Sequence, residues 1–208
     1  MPASHIILVA GVSAGGKTTL ANDIGAALDA PILRLDDYYR DIEVGYTPDQ
    51  VSEFNWDQLD AFHLDEFCDD VLNLSKGESI ARPTYDFTLS KRGPERVAIQ
   101  PCEYVVVEGQ FVLALPALRN LDSTRVFIEV PMFDAMHRRL VRDVHDRGRD
   151  QDSVLEQWNN HVLPAYHRWI EPTKSSADIV LDGSQARHEN VTRVLGFLGA
   201  GVTGPRLV

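Results

Sequence analysis

The 208-residue chain has only two cysteines, Cys68 and Cys102, and neither lies in a CxxC or Cys/His pattern. That spacing argues against a disulfide-built fold and against a structural zinc site. Lysine is scarce too, 4 residues against 16 arginines, and with 31 Asp plus Glu the net charge is −11. A surface for nucleic acid would need a basic footprint, which this balance does not supply. No apolar run approaches the roughly 18 residues of a membrane span. The run Ile6–Ala10 has no basic residue before it and stops at Gly11, too short for the core of a secretory signal. The cytoplasm is the expected compartment. What remains is 44% hydrophobic and 25% charged, the composition of an ordinary globular protein. At about 150 residues per domain, the length predicts a single domain over 1–208.

Short apolar runs alternate with helical periods along the chain. Ile6–Ala10 reads as a strand buried on both faces. Leu20, Ile24 and Leu28 place a helix over Lys17–Leu28, and Ile32–Leu35 is a second strand. A helix is expected over Asp57–Leu74 with Gly77 as its stop. From Ile80 to Ile99 two strands are expected around a turn at Lys91-Arg92-Gly93-Pro94. Tyr104–Val107, Arg125–Val130 and Ile179–Leu181 complete the strands, with a helix from Asp134 to about Asp146. Ser153 and Glu156 form a capping-box pattern for a further helix, Pro164 predicts a kink in it, and Val191 to Leu198 is a terminal helix. The patternless tail 201–208 is expected to fray. Strands alternating with helices predict an α/β fold, a mostly parallel sheet of five strands with helices on both faces.

Between the first strand and first helix stands Gly11-Val12-Ser13-Ala14-Gly15-Gly16-Lys17-Thr18, a match to G-x-x-x-x-G-K-[ST]. Its glycines let successive backbone N–H groups turn toward phosphate oxygens, and the helix N-terminus adds partial positive charge. Lys17 would reach the β- and γ-phosphates, and the Thr18 hydroxyl would ligate Mg²⁺. The same residues satisfy G-x-S-x-G, a nucleophile elbow that Asp182 and His188 would have to complete. That reading leaves Gly16-Lys17-Thr18 without a purpose.

Other residues gather at the same end of the sheet. Glu108 ends the strand expected beside the first one, where a carboxylate can hold Mg²⁺ directly or through water. Asp36 and Asp37 end the second strand, and either can take a proton from an acceptor hydroxyl. Five arginines (Arg138, Arg139, Arg142, Arg147, Arg149) fall within twelve residues and end at a flexible Gly148. They suit a lid, about 138–152, that closes over a transferring phosphoryl group.

The chain resembles the uridine/cytidine kinases of the P-loop group that also holds phosphoribulokinase and pantothenate kinase. Beyond the P-loop, the likeness rests on Leu35-Asp36-Asp37-Tyr38-Tyr39-Arg40, Phe54 to Phe62, Pro83-Thr84-Tyr85-Asp86-Phe87, Val107-Glu108-Gly109, Asp146-Arg147-Gly148-Arg149-Asp150 and Glu171-Pro172-Thr173-Lys174. The resemblance implies transfer from ATP (or GTP), with Mg²⁺, to a nucleoside 5′-hydroxyl, uridine or cytidine first. It implies phosphate contacts from Gly11 through Thr19, Asp36 as general base and metal neighbour, and Asp57 on the ribose hydroxyls. Tyr39, Trp56, Tyr85 and Phe87 would line the nucleoside pocket, with Arg139, Arg149 and Gln157 on the substrate. Arg142 and Arg147 would meet the phosphates. Such kinases often assemble as homo-oligomers.

Three positions depart from the pattern. Ser90 stands where the family has a His that reads the pyrimidine edge, Asp57-Gln58-Leu59 replaces Asp-His-Pro, and Gln110 replaces an aliphatic. Ser90 leaves base identity open, and a kinase for nicotinamide riboside, pantothenate or a sugar-like metabolite is the alternative. A P-loop regulator without transfer chemistry is a further one. It gives no purpose to the acceptor-side residues Asp36, Asp57, Tyr39, Trp56, Tyr85 and Phe87.

Overall fold

In a computed structural model, which describes residues 3–41 and 54–199, five strands form one parallel sheet. They are β1 (His5–Gly11), β2 (Ile32–Arg34), β5 (Tyr104–Glu108), β6 (Ser123–Glu129) and β7 (Ile179–Asp182), in the order β2-β5-β1-β6-β7. β1 lies at the centre, with Val9 opposite Glu108 of β5 and Gly11 opposite Ile128 of β6. Its alternate residues serve two cores. Ile6, Leu8 and Ala10 pack toward Phe67, Phe111, Trp158 and Tyr166. Ile7 and Val9 pack toward α1 (Lys17–Leu28) and α5 (Arg187–Leu198) through Leu20, Ile24, Val194 and Leu195. Burial on both faces is why these strands read as continuous apolar runs and not as alternations. The consequence for function is one edge: all five strands end at the same side, where ligands bind in open α/β sheets.

Three local expectations are corrected. The α-helix expected from Asp57, α2 (Leu64–Ser75), begins seven residues later than Asp57. Residues 57–63 are held alongside residues 38–40, because the amides of Arg40 and His63 bond to the carbonyls of Ala61 and Tyr38 at 2.8 Å. Tyr39 pairs with Phe62 in an isolated bridge and stacks on its ring at 4.1 Å. A helix would need those same backbone groups. Second, the hairpin of β3 (Ile80–Asp86) and β4 (Lys91–Ile99) turns at residues 87–90, not 91–94. Asp86 Oδ1 accepts from the amides of Thr88 and Leu89, and Ser90 takes a positive φ of 51°. Gly93-Pro94 instead faces the break in register between Pro83 and Tyr85, where proline's missing N–H is tolerated.

Third, α4 (Gln151–Gln157) is capped by Asp150, which accepts from the Ser153 amide, so the Ser153 capping box does not form. Around Pro164 the helical path continues with widened turns, π-type stretches over Trp158–Val162 and Tyr166–Ile170 lying on either side of Leu163–Ala165. The segment with the arginine cluster starts on α3 (Met132–His145). The tail 201–208 lies outside the described residues. Among those, no helix is long and apolar enough to cross a membrane.

Candidate active site

The chain leaves β1 at Gly11, whose φ of 150° and tight fit exclude a side chain: a Cβ there would lie 2.4 Å from the Ile128 carbonyl oxygen. Ala14 and Gly16 both take positive φ, 58° and 97°, and so curl the loop into the start of α1. That helix has no side-chain cap and no acid in its first turn. α2, α3, α4 and α5 all carry one there. The positive pole of α1 is therefore left without an anion, as a phosphate site requires. Lys17 is buried at that pole and donates to the Val12 carbonyl at 2.9 Å. Burial lowers the pKa of Lys17, against the raising influence of Glu108 and Asp36.

A cavity of about 790 Å³ opens above the loop, and most of the residues read from the sequence line it. Ser13, Ala14, Gly16, Lys17, Thr18 and Thr19 form one side; Tyr39, Trp56, Asp57, Tyr85 and Phe87 form another. Asp36 and Glu108 lie between them, with Arg139, Arg142, Arg147 and Arg149 over the top. Gly11, Val12 and Gly15 form the underside of the loop. Gln157 is buried behind the wall, where its Oε1 accepts from Arg149 at 2.9 Å.

Asp36 and Asp37 are separated by their partners. Asp37 is ion-paired with Arg82 of the hairpin. Asp36 faces into the cavity, among Lys17, Arg147 and Arg142. Glu108 accepts the Thr18 hydroxyl at 2.9 Å and is buried. Burial pushes both carboxyls up, against the lowering influence of Lys17: Asp36, with Asp57 adding to the effect, above its usual value, and Glu108, with Asp36 adding to the effect, to about 7. In the unfolded chain Glu108 titrates near its ordinary 4.5, so between that value and about 7 the folded state binds more protons. Stability contributed by this pair is present at low pH and lost as pH rises through that window. The melting temperature of the ligand-free protein is therefore expected to fall between about pH 4.5 and about pH 7, with Glu108→Gln flattening the decline. An unchanged slope in that variant would remove Glu108 as its source.

In the aromatic wall, Asp57 is fixed by a fork. Arg139 approaches its two oxygens at 3.4 and 3.3 Å, and Gln110 donates at 3.4 Å. Arg139 also donates to Ser13 Oγ at 2.9 Å, tying that wall to the glycine-rich loop. Among the described residues no hydrogen bond joins Ser13, Asp182 and His188; Asp182 bonds to Ser184 instead, and the nucleophile elbow does not assemble. Tyr39 sits at the middle of an aromatic wall, 5.3 Å from Trp56 and 5.5 Å from Tyr85 by ring centres. Arg147 lies over the Phe87 ring at 5.5 Å and so bridges the arginine segment to the hairpin tip. The hairpin itself is tied down by Glu66, which pairs with Arg92 and Arg96 at 2.7 and 2.6 Å.

Sequence reasoning missed Arg34 and Thr88 as cavity walls, and the buried Asp143 behind them. Arg34 has a signal, standing two residues before Asp36 at a strand end. Asp143 has none, because its charge pairs look like those of a solvated helix face.

A family model described as "Phosphoribulokinase / Uridine kinase family" matches residues 6–188. Among curated proteins, a uridine kinase of Staphylococcus haemolyticus (strain JCSC1435) is 36% identical over 184 residues, covering 87% of this chain and 88% of the relative. A uridine kinase of Chlamydia pneumoniae is 34% identical over 193 residues, 91% of this chain and 86% of its own. Among solved structures, a kinase from Silicibacter sp. TM1040 superposes with a TM-score of 0.70 at 21% identity, covering 87% of this chain and 91% of that one. That likeness concerns the fold.

Proposed function

The chain belongs to the phosphoribulokinase/uridine kinase family, and on that premise we propose that it transfers the γ-phosphoryl group of ATP (or GTP) to the 5′-hydroxyl of a nucleoside, with uridine and cytidine as the first candidates. One observation carries the reading: a single cavity holds a helix pole with its lysine and no acid in its first turn, an aromatic wall that includes Asp57, and Asp36. A nucleotide-binding regulator has no use for the last two.

In this reading the P-loop amides and Lys17 hold the β- and γ-phosphates, and Arg142 and Arg147 close over them. Asp57, fixed by Arg139 and Gln110, accepts from the ribose hydroxyls, and Tyr39, Trp56, Tyr85 and Phe87 enclose the base. Asp36 takes the 5′-hydroxyl proton as the oxygen bonds to the γ-phosphorus and the β–γ bridging oxygen leaves with ADP. The residues also fit a magnesium ion: the Thr18 hydroxyl donates to the buried Glu108, and Asp36, whose charge raises the pKa of Glu108, lines the same cavity. Two carboxylates and a hydroxyl are the protein's share that Mg²⁺ ordinarily takes, phosphates and water supplying the rest. When bound, the ion would neutralise charge on the donor's phosphates.

A coupled ADP-release assay over uridine, cytidine, purine nucleosides, nicotinamide riboside and pantothenate tests the reading. Nucleoside-dependent ADP formation supports it, and turnover with none of the nucleosides overturns it. Base selectivity has its own test at Ser90, which lines the cavity from the hairpin turn. A serine is several atoms shorter than histidine and lacks its reach to the pyrimidine edge. A direct hydrogen bond to a buried polar group is worth roughly 1–3 kcal/mol, about 5- to 150-fold. Ser90→His is expected to raise kcat/KM for uridine or cytidine over purine nucleosides within that range, and histidine tolerates the positive φ at this position. A wild type that already separates the two classes by several orders of magnitude, with a lower ratio in the variant, would sink the idea.

A further inference from the structure

Behind the cavity, one carboxylate faces four guanidiniums. Asp143 of α3 is fully buried. Its Oδ1 lies 2.8 Å from Arg142 Nε and 3.5 Å from Arg147; its Oδ2 lies 3.5 Å from Arg139 Nε and 3.8 Å from Arg149. Gly148, at a positive φ of 63°, turns the chain back so that the Arg149 amide bonds to the Asp143 carbonyl at 2.9 Å. Arg139 and Arg149 reach on to the acceptor side, to Asp57 and Gln157. Arg142 and Arg147 reach to the side of Lys17 and Asp36. A single negative charge cannot neutralise four positive ones, but it fixes where they point. The fit is also unfinished: Arg139 Nε and Asp143 Oδ2 are both buried without a hydrogen-bond partner among the described residues. They face each other just beyond the roughly 2.7–3.2 Å of an N–H···O bond.

We propose that Asp143 is a positioning residue, a buried hub that pre-sets the arginines of both half-sites so that donor phosphate and acceptor are engaged together. The proposal rests on the kinase reading above. Asparagine at this position keeps the shape and removes the charge, so the guanidiniums repel one another and splay. Their excess positive charge meanwhile attracts phosphate more strongly.

Asp143→Asn is therefore expected to lower kcat by about 10- to 100-fold while the Kd for ADP, read by calorimetry, stays equal or tightens. A merely structural residue would lower the folded fraction and leave kcat per folded molecule and Kd unchanged. Asp143→Glu, which restores charge but displaces it by one methylene, should recover the ADP affinity of the wild type and only part of kcat. The proposal is overturned by near-normal kcat in Asp143→Asn, by ADP binding weakened more than about threefold, or by loss of the fold in both variants. ADP binding needs no acceptor, so if the wild type phosphorylates no nucleoside the kinase reading fails, while tighter ADP binding by Asp143→Asn still supports the hub and unchanged or weaker binding then overturns it.

Discussion

Lys17→Ala is expected to cost about 10²-fold or more in kcat while the protein stays folded. The lysine stands at the uncapped pole of α1, where charge develops between the β- and γ-phosphates, and nothing else in the loop carries a full positive charge. Its loss leaves no orphan in the fold, because the Val12 carbonyl that accepts from it also accepts from the Gly15 amide at 3.0 Å. Burial already disfavours the charged lysine, so removing it relieves a desolvation cost. It also strips Asp36 and Glu108 of a cation, and their pKa values should climb further. Steady-state ADP release beside a thermal melt is the check. Near-normal turnover by a folded variant would remove the P-loop as the catalytic centre.

Asp36→Asn should lower kcat by about 10²–10⁴-fold with little change in ATP affinity, since an amide keeps the shape but takes no proton. The geometry makes the neighbouring residue the control. Asp37 is engaged by Arg82, so Asp37→Asn should loosen the hairpin and cost far less in kcat. Stability points the same way. Asp36 is a half-buried carboxyl held above its usual pKa, and neutralising it also relieves Glu108, so the melting temperature near neutral pH is expected to hold or rise. A mild Asp36→Asn beside a crippled Asp37→Asn would reverse the assignment of the base.

Where local chemistry and tertiary packing agree, the chain is easily read. The span Lys17–Leu28 follows from three leucine and isoleucine positions and a glycine-rich entry, and it is observed to the residue. The parallel sheet follows from runs that stay apolar because both faces are covered. The failures share one cause. Residues 57–63 carry helix-compatible side chains, yet Tyr39 and its neighbours take their backbone bonds across the chain. Arg92 and Gly93 look like a turn until Asp86 supplies a better one. Asp143 could be seen only as an acid among arginines; that it is sealed from water depends on how α3 and α4 pack.

The hairpin divides its labour along its length. Its stems are pinned by Glu66 and by Asp37, whereas its tip, residues 87–90, adds nothing to either core: Phe87 is 48% and Leu89 66% exposed. Those four positions nevertheless put three side chains, Phe87, Thr88 and Ser90, into the cavity. Mutations at the tip thus change what the acceptor meets without drawing on the stability of the scaffold. Evolution, or a designer, can diversify acceptor choice there by short steps, each viable, while the phosphate-binding half is left untouched.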